Sequence, residues 1–142
     1  MKIYTDEFER ITALLTGEPV FAYESQQMFN IAVDNIIKPV VFAPALGAGT
    51  YTKQGGGMGV TLRVVVQFLQ QTQFENDLLL NQSIITDMEE LALEFMQHMN
   101  TSAVLQHPES YETQYYYETF DANFAGIGLT FDCKLLTPLK LC

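Results

Sequence analysis

Val60-Thr61-Leu62-Arg63-Val64-Val65-Val66-Gln67-Phe68-Leu69 alternates in a way that only a β-strand can use. In an extended chain successive side chains point to opposite faces. Val60, Leu62, Val64, Val66 and Phe68 therefore share one apolar face, and Thr61, Arg63, Val65, Gln67 and Leu69 the other. The second face is half apolar, so part of it is expected to be covered.

Downstream the period changes from two to 3.6. Ile84, Ile85, Met88, Leu91, Ala92, Phe95, Met96 and Met99 form an unbroken apolar stripe, with Asp87, Glu90, Glu94 and Gln97 opposite. This spacing predicts a long amphipathic helix over roughly 76–100, with Ser83 or Asp77 as its cap. Two further strands are expected after His107-Pro108. In the first, Tyr111, Thr113, Tyr115, Tyr117 and Thr119 face away from Glu112, Gln114, Tyr116 and Glu118. In the second, Ile127, Leu129, Phe131, Cys133 and Leu135 alternate with Gly128, Thr130, Asp132 and Lys134. The residues between, 121–126, read as a turn or a bulged crossing.

Upstream, Tyr4, Phe8, Ile11 and Leu15 fall on one helical face. Thr5 suits its cap, Asp6 and Glu7 suit the positive end of its dipole, and Gly17 suits its end. Val20–Tyr23 can be a strand, while Met28, Phe29, Ile31, Ala32, Ile36 and Ile37 fit either period. Lys38-Pro39 blocks a helix, and Val40-Val41-Phe42 reads as a buried strand ending at Pro44. Segment 46–59 holds six of the nine glycines, at 47, 49, 55, 56, 57 and 59. It reads as a flexible loop at the tip of a hairpin.

The expectation is one α+β domain over residues 1–142. Its mainly antiparallel mixed sheet packs against the long amphipathic helix, with a short helix at the N-terminus. A chain of 142 residues can bury about 70% of its unfolded surface, enough for one core without disulfides or metal. Hydrophobic residues make up 48% and charged ones 17%, a balance that leaves apolar area for contacts with other chains.

The net charge is −10 and the seven bases are scattered singly, which argues against tight nucleic-acid binding. An acidic wall past which nucleic acid slides is compatible with it. The N-terminus lacks a signal-peptide stretch, and no run approaches the ~20 apolar residues of a bilayer span. A reducing, soluble compartment is the expectation.

A search for chemistry finds no obvious set. His98 and His107 form no ligand pair, and Cys133 and Cys142 have no CxxC partner. Lys53 precedes Gly55-Gly56-Gly57, but GxxxxGK[ST] is absent and a strand, not a helix, follows. Glu89 and Glu90 point to different sides of their helix. No enzyme activity, cofactor or metal is expected. Tyr115-Tyr116-Tyr117 is the more informative run, because alternation sends at least one ring toward solvent or a partner.

Three stretches carry a resemblance. They are Phe29–Asp34 leading to Pro39–Phe42, the helix Ile84–Phe95, and Phe120–Leu129 running through a last strand to Cys142. Together they resemble the tail-terminator, tail-completion and neck (head–tail connector) proteins of tailed bacteriophages and prophages. The resemblance implies a tail-terminator-like fold and a structural virion protein of the head–tail junction, made in the bacterial host cytoplasm. Copies would form a six-fold or twelve-fold ring that completes the viral tail or joins it to portal, connector or tail proteins. DNA would pass through the lumen without specific binding, and no membrane is involved. The glycine-rich segment, in which this chain departs from ordinary terminators, would reach a neighbouring subunit. The interface candidates are Tyr51, Lys53, Gly55, Gly56, Gly57 and Met58 there, with Tyr115, Tyr116 and Tyr117. The alternative is a cytoplasmic adaptor or dimeric binding module that uses the tyrosine strand.

Overall fold

The computed structural model describes residues 2–23, 38–43, 46–71, 78–119, 124–137 and 139–140. Within them the order is α1 (Lys2–Thr12), β1 (Val20–Ala22), β2 (Val40–Phe42), β3 (Leu46–Gln54) and β4 (Gly57–Gln71). Then come α2 (Leu78–Asn100), β5 (Leu105–Gln106), β6 (Glu112–Thr119), β7 (Phe124–Leu135) and β8 (Leu139–Lys140). The chain is α+β, with one mixed sheet of eight strands and a long helix beside a short one. Residues 28–37, which fit either period, the Asp77 cap and Cys142 lie outside the described residues.

The sheet is organised around β4. On one side it pairs with β7 from Thr61↔Lys134 through to Gln71↔Phe124, and β8 takes over near Gly57 and Met58. On the other side β3 pairs with its first half and β2 with its second. β1 lies parallel outside β2, and every other pairing is antiparallel. The far side of β7 carries β6 and, near Leu135, β5.

The alternation of β4 feeds two cores. Val60, Leu62, Val64, Val66 and Phe68 are buried with Tyr4, Phe8, Ile11 and Leu15 of the N-terminal segment and with the stripe of α2. Aromatic rings knit the layers: Phe8 meets Phe95 at 5.8 Å, Phe68 meets Phe95 at 5.4 Å, and Tyr111 meets Phe131 at 4.9 Å. Leu69, on the opposite face, is buried in a smaller core with Ala22, Val40, Phe42 and Phe124. Partial cover of the second face is thus a property of its far end, where β1 and β2 have joined the sheet.

The glycine-rich segment is not the flexible loop expected over 46–59. Residues 46–54 form β3, 57–59 open β4, and only Gly55 and Gly56 form the turn. Glycine weakens a strand modestly, and the alternating Thr50-Tyr51-Thr52-Lys53 supplies residues that strands favour. A two-residue turn matching the strand twist then suffices, with Gly55 at φ 54°. Gly49 is a matter of space: a Cβ there would stand 2.2 Å from Leu62 Cδ2, which leans across it.

Other local expectations shift for equally simple reasons. Helix α1 begins at Lys2, so Thr5, Asp6 and Glu7 lie inside it and Thr5 is not its cap. Burial of Tyr4, whose hydroxyl donates to the Cys133 carbonyl at 3.0 Å, holds that earlier turn. The helix ends at Thr12 and tightens through Leu14 N to Ile11 O (2.9 Å) before reversing at Gly17 (φ 87°). Ser83 sits within α2 rather than capping it. Phe124, Ala125 and Gly126 belong to β7, not to a turn.

Gly126 explains that last shift. A Cβ on it would lie 1.8 Å from the Phe68 carbonyl oxygen, so the two backbones approach where only glycine fits. Glu7 is the second unforeseen feature, since it is buried. Its carboxylate accepts from Arg10 Nε and from Ser102 Oγ, and Ser102 Oγ in turn accepts from the Val104 and Leu105 amides at 3.2 and 3.1 Å. Burial alone would raise the Glu7 pKa, but the hydrogen bonds from Arg10 and Ser102 and the Arg10 charge outweigh it and hold it low.

Three substitutions test this packing. Gly126→Ala is expected to cost about 3 kcal/mol or more, because backbone must move. Gly56→Ala, which meets nothing within 4 Å, should change the urea midpoint by less than about 0.5 kcal/mol equivalent. Glu7→Gln should lose about 1–3 kcal/mol at neutral pH. A carboxylate whose folded pKa is depressed stabilises above the ordinary glutamate value and loses that contribution as pH falls through the lowered one. The stability gap between wild type and Glu7→Gln should therefore shrink on acidification, as urea titrations at several pH values would read.

Candidate interface

The nine candidate residues fall into two groups on opposite sides of β4. Tyr51 and Lys53 lie on β3, Gly55 and Gly56 form its turn, and Gly57 and Met58 begin β4. Tyr115, Tyr116 and Tyr117 lie on β6, which reaches β4 only through β7. β3 borders the first half of β4 and β6 lies alongside its second half, so the groups are not brought together.

At the hairpin, Tyr51 is 60% exposed, and Lys53, Gly55 and Gly56 are exposed as well. Met58 is half-buried opposite Lys53, and Gly57 is buried between Gln54 and Lys140. Tyr51 pairs with Val60 and Lys53 with Met58, so both side chains lie on the helix side of the sheet. This is a hairpin bordered at its tip by β8, with an aromatic ring and a cation on one face.

The tyrosine run divides by alternation. Tyr115 pairs with Ile127 on the helix side, is 48% exposed, and borders a shallow groove with Gln82, Ile85, Thr86 and Glu89 of α2. Tyr116 turns to the other face, packs against the small core, and lies over Gly128, where a Cβ would come within 2.7 Å of its ring. Its hydroxyl accepts from Gln67 Nε2 at 3.1 Å. Tyr116 therefore belongs to the rim of the core and Tyr115 to the surface. The side chain of Tyr117 lies outside the described residues.

On the same outer face Arg63 of β4 reaches across β7. It donates to Asp132 Oδ1 at 3.4 Å and to Glu112 Oε2 of β6 at 2.9 Å. The hydrogen bond that Arg63 donates to Glu112, and the Glu112 charge, raise the guanidinium pKa. The pairs are exposed, so they orient β6 more than they stabilise it.

The remaining titratable groups are placed as follows. Burial, with Glu7 nearby, pushes the Cys133 thiol up to about 12, which leaves it protonated and inert at neutral pH. His98 lies half-buried in the last turn of α2 and His107 is exposed after β5. Among the described residues no group of three His, Cys, Asp or Glu could hold a metal ion, and no helix is long and apolar enough to cross a membrane. No protein-family model and no curated protein matches the chain.

Sequence reasoning missed the division of labour between Tyr115 and Tyr116. The available signal was Gly128, whose lack of a side chain on an outward-facing position makes room for one cross-strand ring. Tyr116→Ala is expected to lower stability by about 1–3 kcal/mol. Tyr115→Ala should leave the thermal midpoint within about 1 °C of wild type. Parallel melts followed by circular dichroism would show the two variants reversed if the assignment is wrong.

Proposed function

We propose that this chain is a structural subunit of a ring at the head–tail junction of a tailed bacteriophage, a tail terminator or neck component. The observation that supports the reading is a sheet with two exposed, unlike edges. One carries β3 with Tyr51, and the other carries β6 with Tyr115. A subunit whose two contact surfaces differ assembles head to tail, and such contacts close into rings when the rotation permits. The sequence likeness to terminators points the same way, and a net charge of −10 suits a lumen along which DNA moves without sticking.

Exposure of Tyr115 on an edge strand favours a second reading, a dimeric or adaptor module that binds through β6. Stoichiometry separates the two. Native mass spectrometry with negative-stain imaging is expected to show closed rings of six or twelve copies, alone or after mixing with tail-tube or portal proteins. A strict monomer indifferent to those proteins would sink the ring reading, and a closed two-fold dimer would favour the module.

A further inference from the structure

The face of the sheet turned away from the helices carries a polar groove near the start of β4. Thr61 of β4, Lys134 of β7 and Gln106 of β5 are successive cross-strand partners, so their side chains stand in a row on that face. Asp132 lies beside the row, two residues from Lys134. The chain after β5 completes the lining with His107, buried Pro108, Glu109 and Ser110. The groove holds about 240 Å³.

Lys134 is its unusual member. The chain has 17 acids for 7 bases, and most of the described cations have taken one. Lys2 pairs with Asp6, Arg10 with Glu7, Lys38 with Glu18, and Arg63 with both Glu112 and Asp132. Lys134 has neither an ion-pair partner nor a hydrogen bond among the described residues. Lys53 shares that lack, but it is exposed, whereas Lys134 is half-buried and less well served by water.

The neutral groups around it are also unspent. Among the described residues, the side chains of Thr61, Gln106 and Ser110 make no hydrogen bond. An ammonium, two hydroxyls and an amide therefore line one concavity with their donors free. Asp132 does not answer Lys134, because Arg63 engages it at 3.4 Å.

We infer that this groove binds the carboxylate of a small ligand, with Lys134 as counter-charge and Thr61, Gln106 and Ser110 as further donors. Size and charge select that class. Sites for drug-sized ligands run from about 300 to 1,000 Å³, so this one takes a group of few heavy atoms. One unanswered cation balances one negative charge, while Glu109 and Asp132 in the same lining repel a second. A phosphate dianion is thus the poorer fit. A carboxylate can accept a charge-assisted bond from Lys134 and keep acceptor sites for the neutral donors beside it. The groove lies within one chain and needs no second copy, so it goes beyond the ring reading and does not rest on it.

Titration of the full chain with N-acetylglycine tests the site, followed by NMR shifts at neutral pH and a constant ionic strength of about 0.15 M. Half-saturation is expected at about 1–10 mM, with the shifts confined to Thr61, residues 106–110 and Lys134. Lys134→Met keeps the stem and removes the charge, and should weaken binding roughly tenfold. Lys53→Met should leave it unchanged. Circular dichroism melts verify folding, and if Lys134→Met unfolds, Lys134→Gln gives the same comparison. Inorganic phosphate should bind more weakly than N-acetylglycine, and glycinamide, which lacks the carboxylate, should give no saturable shift.

The site is overturned if N-acetylglycine shows no saturation below about 50 mM, if the Lys134 variant binds like wild type, or if the shifts follow exposed lysines everywhere alike. Tighter binding of phosphate, or saturable binding of glycinamide, would overturn the ligand class. All of these outcomes leave the ring reading standing, since that is decided by stoichiometry.

Discussion

The pairing of β4 with β7 is the constraint to which every other element answers. β4 cannot slip by one residue without exchanging its faces, because Phe68 and Leu69 are neighbours in sequence and belong to different cores. The alignment is fixed where the chain comes closest, at Gly126 beneath the Phe68 carbonyl. From this ladder both borders of the sheet take their positions, β3 and β2 outside β4, β6 and β5 outside β7. The surfaces that distinguish this molecule are thus consequences of one strand pair.

Polar chemistry in the interior serves position rather than charge display. Glu7 is a carboxylate taken out of water, and its cost is offset by the Arg10 guanidinium and the Ser102 hydroxyl. Ser102 relays the tie to two backbone amides at the entry to β5. Helix α1 is thereby locked to the segment that follows α2, while its Phe8 ring fills the space between Phe95 and Phe131.

Much of this was legible in the sequence. The alternation of 60–69, the stripe of α2, the face Tyr4-Phe8-Ile11-Leu15 and the alternation of 127–135 all stand where periodicity places them. These segments bury one face, so packing and pattern agree. The glycines misled because a glycine records either backbone freedom or lack of room, and the letter does not distinguish them. Gly55 is the first kind, at positive φ; Gly49 and Gly126 are the second. Likewise, nothing in Glu7 itself marks it as buried, since its partner Ser102 is ninety-five residues away. Of the candidate contact residues, the tyrosine run was legible as sending at least one ring outward, but which ring it is, the strand placement of Tyr51 and the separation of the two groups required the strand order.

The hydrogen bond from Tyr4 to the Cys133 carbonyl spans 129 positions of sequence. A chain made from its N-terminus produces α1 long before the strand it docks against. Until that strand emerges, α1 is a short amphipathic helix with an incomplete seat, and such a helix is marginal alone in water. Closure of the main core therefore waits for β7. Until it occurs, the apolar face of α1 is available to chaperones.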